Sequence, residues 1–388
     1  MTNNVTDITS WGDTQAITRG TQIWVRLCRR DTEVREFPCT FIAAKTESGE
    51  KLITVITPET LFVGPGDSGS PVGWYNPQTK RAEVIGMLCY GTGSLGDSHT
   101  FKARHMEDVR TVDSRSTTGF EKIGVVNYLS GISQAEINRL ERYGVSVPQN
   151  TRLMTRKAGR GGPGMTINPI AGMKVSVNDI SGDTLNGGAI GTIGYIAPGR
   201  MDIFGHSYAP GGAGDVDIPA TLAGMTMFTG GLQGYCDATP LVSEPLGAVT
   251  KDYLQSCQIE RGRIADTVPV ILNLSLPADR HFSHSHSVAR GSEFYFYISL
   301  ATIAMIDMDR AKRAKGTATG TFTLTLDDGE EILNIDASDP NDVTMAVMRQ
   351  YGEWLDKKIT DKKIIRIEMD INITDDYTAP PPDEGGMG

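Results

Sequence analysis

Short apolar runs cut by glycine-containing turns set the tightest limit on what this chain can fold into. TQIWVRLC (21–28), EFPCTFIAA (36–44), KLITVIT (51–57) and EVIGMLCYG (83–91) each have the length of one strand. The texture returns at MKVSVNDI (173–180), GAIGTIGYI (188–196), MDIFGH (201–206), GAVTKDYL (247–254) and TVPVILNL (267–274). The chain's 44 glycines gather between such runs. Strand-length runs bounded by turn residues predict a mainly β protein. At 388 residues the chain is long enough for two or three domains with cores of their own.

The pattern divides the sequence into parts. A β-rich part covers 1–110, and a connector covers 111–164. In the connector, Ser133 and Glu136 form a capping-box pattern ahead of Ile137, Leu140 and Tyr143, which predicts one helix. It ends in KAGRGGPG (157–164), expected to be flexible. A second β-rich part covers 165–275. Residues 276–376 read as strand (FYFYISL), helix, hairpin, helix and strand (IIRIEMDINI), with Asp327-Asp328-Gly329 as the hairpin turn. That order predicts an α+β, ferredoxin-like module. The tail 377–388 is expected to be disordered.

Composition removes several function classes. The net charge of −10 argues against a nucleic-acid binder, which needs a basic face. No apolar run reaches the length of a membrane span. The N-terminus lacks the basic start and apolar core of a signal peptide. Cys28, Cys39, Cys89, Cys236 and Cys257 are odd in number and irregularly spaced, which predicts buried thiols and a cytoplasmic, reducing location rather than a disulfide framework. No pattern calls for a cofactor or specifies an oligomeric state.

The chemistry-bearing segment is FVGPGDSGSP (62–71). A serine hydroxyl becomes a nucleophile when a tight turn exposes it, a base takes its proton and backbone N–H groups meet the developing oxyanion. Gly66-Asp67-Ser68-Gly69 is such a turn, with Ser68 as nucleophile and the Gly66 and Ser68 N–H groups as the oxyanion hole. Phe62, Val63 and Gly91 are the expected lining of a specificity pocket. They carry no carboxylate, so a small or apolar side chain is the expected choice before the cleaved bond.

All six histidines, His99, His105, His206, His281, His284 and His286, follow Ser68, which excludes the chain order His, Asp, Ser. A triad is defined by geometry rather than order, so a downstream base is physically sound. His99 and His105 lie in polar text and are expected at the surface. HFSHSH (281–286) is expected to be an exposed polar loop rather than a metal site, since no second ligand cluster accompanies it. His206 ends an apolar strand, follows Gly205 and enters a glycine-rich loop, the placement expected of a general base.

Taken in order, GDSGSPV (66–72), IGTIGYI (190–196), FGHSY (204–208), VDIPAT (216–221) and GAVTKDYLQSCQIERG (247–262) resemble the SpoIVB-type sporulation peptidases, and most closely their relatives with the Ser motif ahead of the His motif. The likeness runs from about residue 18 to 375, through the closing helix, hairpin and strand. Asp67 stands where that family has Met, Ser207 where Pro is usual, and Tyr253 where it has Arg. The resemblance implies two chymotrypsin-like β-barrels in permuted order, Ser barrel first and His barrel second. It implies hydrolysis of a protein or peptide, this chain itself included, without metal or cofactor. Asp252 and Asp217 both fit the family's motifs as the acid that orients His206. Asp252 is preferred, because its spacing suits a neighbouring strand, with Asp217 next and a bare Ser–His dyad third. A catalytically silent, protease-like scaffold is the alternative, as is a peptidase that cuts itself at 157–164 or in the acidic tail.

Overall fold

A computed structural model describes residues 5–91, 99–109, 121–122, 126–142, 151–154, 167–209, 212, 214–228, 236–290, 294–310, 315–358 and 363–374. The expected flexible stretch at 157–164 and the tail at 377–388 lie outside the described residues. In chain order the elements begin with α1 (Trp11–Gln15), β1 (Gln22–Arg30), β2 (Glu33–Glu47), β3 (Glu50–Ile56), β4 (Pro71–Asn76), β5 (Arg81–Gly91) and β6 (Thr100–His105). Then come β7 (Glu121–Lys122), β8 (Val126–Ser130), α2 (Gln134–Arg142), β9 (Arg152–Met154), β10 (Lys174–Gly182), β11 (Asn186–Ala197), β12 (Arg200–Ile203), β13 (Gly214–Phe228), β14 (Cys236–Asp252) and β15 (Cys257–Arg261). The last are β16 (Thr267–Leu276), β17 (Arg280–Ala289), α3 (Phe294–Arg310), β18 (Gly316–Leu326), β19 (Gly329–Asp339), α4 (Val343–Lys358) and β20 (Ile364–Thr374). The protein is mainly β, as the runs and turns predict.

Two compact units divide the chain. The first takes 1–130, 146–178 and 187–266, and the second takes 131–145, 179–186 and 267–388.

In the first unit, strand pairing closes two circuits. β1, β2, β3, β6, β5 and β4 are hydrogen-bonded in that order, and β4 pairs with both β5 and β1. β10, β13, β14, β15, β12 and β11 follow the same rule, with β10 also paired to β11. The first circuit is filled by Ile23, Val25, Leu27, Phe41, Ile53, Val55, Val72, Ile85, Leu88 and Phe101. In the second, Val175, Val177, Ile190, Ile203, Leu222, Val249 and Ile259 are buried. Of the five cysteines, Cys28, Cys39, Cys89 and Cys257 are free and buried.

In the second unit the sheet runs β19-β18-β20-β16-β17, with β16 parallel to β20 and the other pairs antiparallel. The capping box forms as expected: the Ser133 N–H donates to Glu136 Oε2 at 2.5 Å and the Glu136 N–H to Ser133 Oγ at 3.3 Å. Leu326 pairs with Gly329, so Asp327 and Asp328 make the hairpin turn. No helix among the described residues is long and apolar enough to cross a membrane.

Two expectations fail here. FYFYISL is not a strand but the start of α3, a 17-residue helix. Phe294, Tyr297, Ile298, Ala301 and Ile303 are among its many buried residues, and a helix buried nearly all round shows no period from which to read it. HFSHSH is not a loop but lies in β17, where His286 is 2% exposed.

His286 Nε2 accepts from the Thr184 hydroxyl at 2.9 Å and from the Leu185 N–H at 3.1 Å, so the ring is neutral. Burial pushes its pKa down to about 4, with His284 adding to that and Asp183 opposing it. The unfolded chain takes up this proton near the ordinary histidine value, the folded chain only near pH 4. Stability is therefore expected to fall by about 3 kcal/mol as the pH drops through that window. In urea titrations at stepped pH, His286→Gln, which keeps an acceptor without the titration, is expected to lose less over that range than wild type.

Candidate active site

Ser68 lies in the connection from β3 to β4, all within the first unit. Its turn is built by two short backbone bonds, Asp67 N–H to Gly64 O and Ser70 N–H to Asp67 O, both 2.9 Å. Gly66 and Gly69 adopt φ of +88° and +91°, a region open to glycine at little cost. The Gly69 N–H donates to Leu88 O at 2.8 Å. Among the described residues, the Gly66 and Ser68 N–H groups donate to nothing in the chain.

Asp67 holds this turn from beneath. Its carboxylate is fully buried and takes a forked pair from Arg29, at 2.7 and 2.9 Å, and one bond from Lys174 Nζ at 2.8 Å. Burial alone pushes the carboxyl up, but the Arg29 and Lys174 charges outweigh it and hold the group below the usual carboxylate range. Lys174 spends its other donors on Gly66 O at 2.5 Å and Thr192 Oγ1 at 2.9 Å. Arg29 also donates to Phe62 O at 2.8 Å.

His206 follows β12 through an unusual turn. Phe204 has φ of +72°, rare for an aromatic residue, and Gly205 has +84°. The Gly191 position faces the Phe204 ring, where an added Cβ would lie 2.3 Å from a ring carbon. The two motifs meet through backbone. A Cβ on Gly69 would lie 2.6 Å from Phe204 N, and one on Gly205 2.4 Å from Leu88 O. Ser68 Oγ donates to Phe204 O at 2.7 Å, and the Thr192 N–H to Ser68 O at 3.1 Å.

His206 Nδ1 lies 2.7 Å from Ser207 O. A carbonyl only accepts, so Nδ1 carries a proton, and in the neutral ring the lone pair is then on Nε2, the tautomer of a base. Asp252, at the end of β14, accepts from the Tyr208 N–H at 2.7 Å and the Ala209 N–H at 2.9 Å. It also accepts from the Cys257 thiol at 3.2 Å, and burial beside this carboxylate pushes that thiol's pKa well up. Asp252 thus fixes the backbone just after His206.

The remaining predicted residues are placed as follows. Phe62 is 45% exposed and its ring lies 5.5 Å from that of His99, while Val63 and Gly91 are buried. Asp217 engages Arg263 at 3.2 Å and the Asp266 N–H at 2.9 Å. His105, expected at the surface, is buried beneath the N-terminal segment, 3.2 Å from Thr14 Oγ1 and 3.1 Å from Thr9 O. His99 is partly buried. No group of three or more metal-ligating side chains occurs among the described residues. Ser68 is 0% exposed and His206 5%.

Sequence reading misses Arg29 and Lys174, whose only signal is a charge inside otherwise strand-like text. The chain matches no protein-family model, no curated protein and no solved structure.

Lys174→Met is expected to destabilise the protein by about 3 kcal/mol in urea titration, because it leaves a fully buried carboxylate short of one partner. A variant as stable as wild type would show that Arg29 alone suffices for Asp67.

Proposed function

We propose that the protein is a serine endopeptidase, with Ser68 as nucleophile and His206 as general base, its two strand circuits serving as chymotrypsin-like barrels in permuted order. The observation that carries this reading is the interlocking of the two motifs. Ser68 Oγ bonds the carbonyl two residues before His206, and the imidazole tautomer is already that of a base. In the reaction, Ser68 turns from Phe204 O toward Nε2, gives up its proton and attacks the scissile carbonyl. The Gly66 and Ser68 N–H groups take the oxyanion. His206 then protonates the leaving amine, and water hydrolyses the acyl-enzyme. The resemblance to SpoIVB-type peptidases supports the same assignment. Phe62, Val63 and Gly91 are assigned to the specificity pocket; they carry no charge, which suits small or apolar side chains.

Asp252 acts one step behind His206. By gripping the Tyr208 and Ala209 N–H groups it fixes the Ser207 carbonyl, which in turn fixes Nδ1. Asp217, engaged with Arg263, is not assigned a catalytic part.

A second reading, a protease-like scaffold without activity, is favoured by one observation: Ser68 has no exposure, so a peptide reaches it only after some covering group moves.

Labelling with a fluorophosphonate probe decides between the two. Wild type is expected to label, and Ser68→Ala and His206→Ala to lose labelling alike, since the pair acts as a unit. Asp252→Asn is expected to slow labelling about a hundredfold, the cost of an ångström-scale misplacement, and Asp217→Asn to leave it unchanged. Full labelling of Ser68→Ala would sink the assignment.

A further inference from the structure

We propose that Arg104 is a positioning residue for His206, holding the peptide on the N-terminal side of the imidazole. The proposal rests on the peptidase reading above. Arg104 lies on β6, in the strand circuit that carries Ser68, and its side chain is fully buried. Its Nη1 donates to Gly205 O at 2.8 Å and to Gln255 O at 3.1 Å. Its Nη2 donates to Glu50 Oε2 at 3.1 Å and to the Tyr90 hydroxyl oxygen at 3.0 Å. The Tyr90 hydroxyl donates to the same Glu50 carboxylate at 3.2 Å, and the guanidinium stands 5.6 Å from the Tyr90 ring centre. Glu50 on β3 and Tyr90 on β5 therefore fix one edge of a rigid fork, and the other edge takes two carbonyls of the histidine half.

Those carbonyls matter because of where they are. Gly205, with φ of +84°, is the joint that sets the direction in which His206 leaves the strand. Glycine has wide backbone freedom, so nothing in its own chemistry fixes that peptide plane. Arg104 supplies the hold before the histidine, and the Ser207 N–H bond to Leu254 O at 3.1 Å, with the Asp252 bonds to 208 and 209, supplies the hold after it. By tying Gly205 O to Gln255 O, Arg104 also joins the two segments that carry these holds. A buried Arg–Glu pair is commonly no more stabilising than apolar residues of the same volume, so its stability alone does not account for this network. Geometry does: a planar, charged fork fixes two acceptors at once, which a point charge cannot.

The test measures fluorophosphonate acylation of the full chain, separating the maximal rate from probe affinity, with melting followed on the same samples. Arg104→Met alone would strand the Glu50 charge, so the variant of choice is Arg104→Met with Glu50→Gln. It is expected to fold, to bind probe with unchanged affinity, and to acylate about a hundredfold more slowly, the cost of a misplaced reacting group. Arg104→Lys keeps the charge but not the fork. It is expected to fall between that variant and wild type, and it is read in place of the double variant should that one not fold. A purely structural Arg104 would alter melting and leave the maximal rate of the folded protein untouched. A folded double variant, or a folded Arg104→Lys, that acylates at the wild-type rate overturns the proposal and leaves the peptidase reading standing. A wild type that does not label overturns both.

Discussion

The Asp67 carboxylate is where the geometry of the first unit converges. An ion with no exposure stays charged only if opposite charge comes to it, and here a guanidinium arrives from β1 and an ammonium from β10. Each cation has donors to spare, and each spends them on the backbone of the same segment: Arg29 on the Phe62 carbonyl, Lys174 on the Gly66 carbonyl. One buried charge therefore fixes the chain at 62, 66 and 67, directly ahead of Ser68.

Arg104 mirrors this arrangement. Lys174 reaches from the histidine half to the serine turn, and Arg104 from the serine half to the histidine turn. Between them the chain leaves no room for error: Gly69 and Gly205 sit where any Cβ would strike backbone within 3 Å. Phe204 adds a left-handed conformation that costs on the order of 1 to 3 kcal/mol. Such strain persists only when surrounding contacts outweigh it. Here the Phe204 N–H bond to Thr192 O and its carbonyl's bond from Ser68 Oγ hold the residue on both sides.

What could be read from the sequence was what local chemistry dictates. GDSGSP and FGH announce tight turns because glycine takes the positive φ that such turns need at little cost, and the strand runs around them are legible because turn residues bound them. The capping box at Ser133 and the turn at 327–329 are likewise short-range. The partners of these turns were not legible. Lys174 is 107 residues from Asp67 and Arg104 is 101 residues from Gly205, so only the fold brings them together. His105 reads as a surface group from its polar neighbours, but it is covered by the N-terminal segment, whose approach no local pattern signals. Asp252 was picked for its spacing. Its partners include the Tyr208 and Ala209 N–H groups of the histidine loop, a role that spacing does not specify.

The state of Ser68 separates two obstacles to chemistry that differ in size. Its hydroxyl is bonded to a neutral carbonyl, a contact worth about 1 kcal/mol net. Its burial is the larger matter, since Ser68 has no exposure. The turn itself is held in place by Asp67, Lys174 and Arg29. A site built this way keeps its reacting geometry fixed while access is controlled separately. On the peptidase reading, the barrier to reaction then lies in whatever covers Ser68 rather than in the turn that carries it.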